Sequence, residues 1–201
     1  MKNDKAMSRE QIRRLTLAAM LTAIVFVLEM LGSMVKLGIF STASLVLVPI
    51  VIGAALLGWQ YGAWLGFVFA AAVLLSGDAT PFLEFNPVGT IILVIVKGIV
   101  AGAISGLVYA LFSKTHPVIG SILAAVICPI VNTSLFLFFC RVFFWDLLAQ
   151  WATGTDATSI GGYAVVYLVG INFIIELALN CILSPIIVRL VGYGKKRFNK
   201  E

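Results

Sequence analysis

The chain has 201 residues, 61% of them hydrophobic and 11% charged, with a formal net charge of +5 and a mean hydropathy of +1.09. A soluble domain carries about 45–50% apolar and about 25% charged residues, so this composition excludes an ordinary cytosolic globule, a disordered chain and a coiled coil. It leaves an integral membrane protein: one membrane domain over residues 1–201, framed by basic tails at 1–12 and 193–201. The chain contains no GxxxxGK[ST] phosphate loop, which excludes ATP hydrolysis by this chain; any active transport must draw on a partner subunit or an ion gradient.

A helix that crosses a bilayer needs about 20 mostly apolar residues. The first candidate is 15–35, which lacks a small-residue cleavage site and precedes further spans, unlike a signal peptide. The apolar stretch 43–75 is too long for one span, and Gly58-Trp59-Gln60 divides it into two. Its length is short for two full crossings, so five spans with one re-entrant segment is the competing count. The runs 88–112, 118–145 and 163–191 follow. The expected fold is an all-α bundle of six transmembrane helices.

Lysine and arginine set the orientation. Lys2, Lys5, Arg9, Arg13 and Arg14 mark one tail, Arg189, Lys195, Lys196, Arg197 and Lys200 the other, and Lys114 the connection after the fourth span. Six spans put both termini on the cytoplasmic side. The loops 36–42, 76–87 and 146–161 then face out, with Lys36 their only basic residue and Asp78, Glu84, Asp146 and Asp156 in or beside them. The positive charge thus reads as a topology signal, and nucleic acid is not an expected partner; the lipid bilayer is.

Small residues let helices approach closely in lipid, where apolar surface gives no drive to associate. Gly58, Gly62 and Gly66 are spaced by four, as are Gly98, Gly102 and Gly106, so each row lies on one helix face. Internal packing is the expected use of both rows. Ala19 and Ala23, one turn inside the basic N-terminus, suit either packing or the docking of a partner membrane subunit.

Ionisable groups at membrane depth usually face a cavity or one another. Glu29, Lys97, Arg141 and Glu176 lie within the spans, with Asn132, Asn172 and Asn180. One reading is internal ion pairing, for example Lys97 with Glu176, and snorkelling of Arg141 to the interface. The other is an outward-opening pocket between the fourth, fifth and sixth spans. There Lys97 and Arg141 would meet an anionic group, Asn132, Asn172 and Glu176 would supply hydrogen bonds, and Phe144, Trp145, Tyr163 and Tyr167 would supply walls. No catalytic constellation is present. His116 sits in a turn before Pro117, and Cys128, Cys140 and Cys181 occupy apolar runs without paired spacing. No enzyme activity, metal or cofactor is expected.

Three stretches resemble the substrate-binding (S) components of energy-coupling factor (ECF) transporters, a bacterial vitamin-uptake system. The run Arg13-Arg14-Leu-Thr-Leu-Ala-Ala-Met-Leu-Thr-Ala is similar to the basic start and AxxxA helix of such subunits. Val48-Pro49-Ile-Val-Ile-Gly-Ala-Ala-Leu-Leu-Gly resembles a block common in pantothenate-type and related members, and the 62–69 stretch continues it. At Val96-Lys97-Gly98 many relatives have an arginine in a Pro-Arg-x-x-x-Gly setting; this chain has Val and Lys. The resemblance weakens toward the C-terminus. It implies six helices, cytoplasmic termini and a high-affinity site in the outer half. It also implies a shared transmembrane coupling subunit, docked at Ala19 and Ala23, and two cytoplasmic ATPase subunits. Pantothenate, with one carboxylate and a small polar body, is the expected substrate, with folate or a pyridoxine-type ligand as the alternatives, and the bacterial cell membrane is the expected location. A gradient-driven secondary transporter or small channel is the rival function.

Overall fold

The computed structural model describes residues 8–34, 36–37, 40–41, 45–153 and 155–198. Lys2, Lys5 and Lys200, among the residues singled out above, lie outside them. The described chain is helical apart from one small ladder. Helix α1 (Arg9–Met34) leads into strands β1 (Lys36–Leu37) and β2 (Phe40–Ser41), which pair antiparallel. Helices α2 (Leu47–Leu57), α3 (Trp59–Ser76), α4 (Thr80–Phe85), α5 (Pro87–Phe112), α6 (Pro117–Phe143), α7 (Trp145–Ala152) and α8 (Ile160–Tyr163) follow. A π-helical segment, Ala164–Gly170, then joins α8 to α9 (Ile171–Phe198).

Among the described residues, four helices are long and apolar enough to cross a membrane: α1, α3, α5 and α6. A fifth span exists if Ile160–Gly170 and Asn172–Asn180, bent by 43°, count as one. The expected crossing within 43–57 is the 11-residue α2, about 16 Å long at 1.5 Å per residue against a hydrocarbon layer of about 30 Å. Pro49 sits in its first turn, and a proline ring clashes with the carbonyl four residues before it, so the helix cannot extend upstream. At the other end Gly58 adopts φ 110°, a backbone open to glycine, and reverses the chain into α3 without a loop. The straight sixth span expected over 163–191 is likewise replaced by α8, the π-helical segment and α9. The loop expected at 146–161 contains α7.

Helix α5 is the spine, packed on α3 along one side and α6 along the other. The two glycine rows meet there in antiparallel register. Gly62 opposes the Gly102 carbonyl, Gly66 opposes that of Gly98, and Gly106 lies against the Trp59 backbone. A Cβ at Gly62, Gly66, Gly98 or Gly102 would overlap opposing backbone atoms. Across the α5–α6 contact the buried Ser105 hydroxyl donates to the Ala124 carbonyl at 3.0 Å. Asn86 caps α5 by accepting from the Gly89 N–H at 2.9 Å, with Pro87 in the first turn, as that proline predicts.

One end of the bundle gathers the start of α1, the α2–α3 reversal, the α5–α6 turn and the end of α9. Arg13 shares a groove with Leu56, Leu190 and Tyr193, and Gly58 lies with Gly106, Ser113 and Lys114. Both ends of the described chain therefore lie at the basic end. The opposite end holds α4 and α7 and the acidic residues Asp78, Glu84 (in α4), Asp146 (in α7) and Asp156. Large apolar side chains such as Phe26, Leu75, Leu111, Phe138 and Ile182 are exposed around the girth, as a bundle solvated by lipid requires.

Candidate functional site

A cavity of about 340 Å³ lies in the half of the bundle away from the basic end. The helical period builds its walls. On α5, Thr90, Leu93, Val94 and Lys97 follow i, i+3, i+4, i+7 spacing and present one face. Asn132 and Phe136 on α6, and Asn172 and Glu176 on α9, are i, i+4 pairs. Glu29 comes from α1, Phe69 and Val73 from α3, Asp78 from the turn after it, and Phe82 from α4. Lys97 is ten residues below the start of α5, about 15 Å along the helix, so the cavity floor is near mid-membrane.

The Lys97 ammonium sits over two ring faces, 5.7 Å from the Phe69 centroid and 5.3 Å from that of Phe136. Such contacts favour a cation in a poorly hydrated place. Glu176, Glu29 and Asp78 act on its charge through space. Glu29 is 1% exposed and Asn132 8%. Glu29 Oε2, Asn132 Oδ1 and Asn172 Oδ1 are buried with no hydrogen-bond partner among the described residues. Buried polar atoms are nearly always paired in folded proteins, and all three of these belong to residues of one cavity wall. A solute with hydrogen-bond donors would satisfy them.

Aromatic packing closes the end of the bundle opposite the basic end. Phe82 makes edge-to-face contacts with Phe136 at 5.8 Å, Phe144 at 5.1 Å and Trp151 at 5.5 Å. These rings tie α4 and α7 over the bundle, so turn 77–86 is a structured cap rather than a plain connection.

Of the residues singled out in the sequence, Lys97, Asn132, Asn172 and Glu176 are brought together at the cavity. Asn180 shares their helix but lies one turn below, fully buried, donating from Nδ2 to the Glu176 carbonyl at 2.8 Å. Arg141 is exposed, its guanidinium 4.1 Å from the Trp145 ring centroid, and is not part of the cavity wall. Tyr163 stacks on Tyr167 at 5.5 Å, also outside the wall. Glu29, Asp78, Thr90, Phe69, Phe82 and Phe136 are among the cavity residues that sequence reasoning did not assign. Within residues 15–34 of the first helix Glu29 is the one charged residue, and that was a signal for it.

A second depression of about 820 Å³ runs between α1 and α3, lined by Ala18, Ala19, Thr22, Ala23, Tyr61 and Trp64 among others, with no charged side chain. Ala19 and Ala23 are exposed along it rather than spent on internal packing. The Trp64 indole N–H donates to the Thr22 hydroxyl at 3.1 Å across it.

The family model of the ECF transporter substrate-specific component matches residues 13–188. The chain belongs to this family. It is accordingly a multi-pass membrane protein and a substrate-specific transporter subunit, not an enzyme, of a kind that binds a small substrate and works with a shared coupling subunit and ATPases. No curated protein and no solved structure matches it.

Proposed function

We propose that this member of the ECF substrate-specific components captures a small vitamin-like solute in the 340 Å³ cavity for ATP-driven uptake across the bacterial plasma membrane. The observation that carries this reading is the cluster of Lys97, Glu29, Asn132, Asn172 and Glu176 around one cavity at membrane depth. Such groups are costly in lipid and mark solute pathways, and the volume falls at the small end of ligand sites. The basic end, with both ends of the described chain, faces the cytoplasm by the positive-inside rule. The cavity then opens from the outer half, and α2 serves as a short second member of a six-element bundle.

Within this reading Lys97 takes an anionic or acceptor group of the solute, and Asn132, Asn172 and Glu176 take its donors. The anion role first shared with Arg141 falls to Lys97, because Arg141 and Tyr163 stand outside the wall. Pantothenate is the candidate that the sequence resemblance favours, through its carboxylate at Lys97. The test is thermal unfolding of the purified protein with pantothenate, biotin, riboflavin, folate, thiamine, pyridoxine and pyridoxamine. A ligand of the native state raises apparent stability, by about 2.7 kcal/mol at a hundred times its Kd. One solute is expected to stand out. No shift from any of them overturns the vitamin reading.

The coupling subunit is proposed to dock in the α1–α3 trough, over Ala19 and Ala23. Small residues there allow close backbone approach. Ala19→Leu or Ala23→Leu is expected to abolish uptake in cells while leaving the Kd of the purified subunit unchanged. Normal uptake by both variants sinks the docking assignment.

A further inference from the structure

The cavity wall holds two carboxyl groups within the long helices, Glu29 and Glu176, and one lysine, Lys97. A solute with only an anionic group would add a further negative charge to a site of low dielectric. Buried charges that lack a counter-charge are strongly unfavourable. The Lys97 ammonium can balance one carboxylate. Asp78 lies in the outer turn, whereas Glu29 is 1% exposed on α1, and its Oε2 has no hydrogen-bond partner among the described residues. Asn132 and Asn172 hold two further unpartnered acceptors in the same wall. The wall thus combines one cationic donor with an acceptor-rich surface.

We infer that the solute is amphoteric, carrying a protonated or quaternary nitrogen held by Glu29 as well as an acceptor group held by Lys97. This rests on the capture reading, and it parts from pantothenate, which has a carboxylate and no cation. It assigns Glu29 as a determinant of specificity. Replacing a charge-assisted hydrogen bond removes about 1.5–3 kcal/mol, which reads as about a 12- to 150-fold change in affinity.

The experiment is competitive binding to the purified wild-type protein and to Glu29→Gln, using the same seven vitamins. Pyridoxamine and pyridoxine form a matched pair, since an ammonium in one replaces a hydroxyl in the other. The tightest ligand is expected to carry an ammonium or quaternary nitrogen, and pyridoxamine is expected to bind at least tenfold tighter than pyridoxine. Glu29→Gln keeps the shape and an acceptor but loses the charge. It is expected to weaken the tightest ligand at least tenfold and to bring the matched pair to near-equal affinity. A tightest ligand without a cation, such as pantothenate or biotin, overturns the inference while leaving the capture reading intact. So does an unchanged affinity in Glu29→Gln. The wild-type comparison decides the matter alone if that variant does not fold. Binding of none of the seven overturns the vitamin reading and the inference with it.

Discussion

Gly66→Leu is expected to prevent α3 and α5 from closing and to cost more than about 3 kcal/mol of stability. Extra atoms in a packed interior usually cost about 1–3 kcal/mol, because nearby side chains shift to accept them. At Gly66 that relief is missing. The atoms a Cβ would overlap are the Gly98 carbonyl carbon and oxygen, which belong to the backbone of the central helix. The only escape is to move α3 off α5, which also parts Gly62 from Gly102 and Trp59 from Gly106 along the same seam. Four wall residues of the cavity are on α5 and two on α3, so the site is lost with the seam. The comparison is Gly192→Leu, at a position where a Cβ meets nothing within 4 Å; surface changes of that kind stay within about 0.5 kcal/mol. Thermal unfolding in detergent, followed by helical circular dichroism, measures both. Equal midpoints for Gly66→Leu and the wild type would show that the helices do not cross so closely.

The same seam shows what was legible in the sequence. Glycines at spacing four state that a helix face is bare, and the structure pairs the two bare faces in register. The apolar runs likewise gave α1, α3, α5 and α6 in nearly the right places, because long runs have few alternatives in lipid. The second crossing was harder. Hydropathy continues through 43–57, but Pro49 and Gly58 bound the helix to 11 residues, and a window over apolar content does not see a steric stop. The segment before α9 was obscured similarly: its residues are apolar throughout, and the π-helical stretch over Ala164–Gly170 depends on tertiary packing rather than on composition.

For the site, i, i+4 spacing was enough to place Asn172 with Glu176, since that relation is local. Putting Lys97 beside them needed only the neighbouring helices. Glu29 is different. Its place opposite α5 and α9 depends on α1 packing back across the bundle, a contact between residues far apart in sequence. Arg141 shows the converse. It reads as a cation near the outer surface; the structure leaves it exposed, and its position in α6 points it to Trp145 instead of the cavity. One turn separates Lys, Asn or Arg residues that face a ligand from those that face an aromatic belt, and depth alone does not distinguish them.

Lys97→Met is expected to weaken solute binding by about 1.5–3 kcal/mol, the worth of a hydrogen bond to a charged group, while Arg141→Met leaves the affinity unchanged. Methionine keeps the length and the apolar stem against Phe69 and Phe136, so the packing of the cavity wall is retained and the missing ammonium is the main variable. For a solute whose acceptor group meets Lys97, the charge-assisted bond is gone, and that loss is what the variant reads. Arg141 is exposed and not part of the cavity wall, and the charge of a solvated group is screened by water. Titration calorimetry on both variants, with the solute selected by the unfolding panel, gives the comparison. Lys97→Arg sharpens it, since a guanidinium keeps the charge but spreads it over a planar fork. Partial recovery in that variant identifies charge as the main contribution, and no recovery identifies the ammonium's geometry. Wild-type affinity in Lys97→Met would move Lys97 from ligand binding to packing, and a loss confined to Arg141→Met would relocate the anion site to the mouth of the bundle.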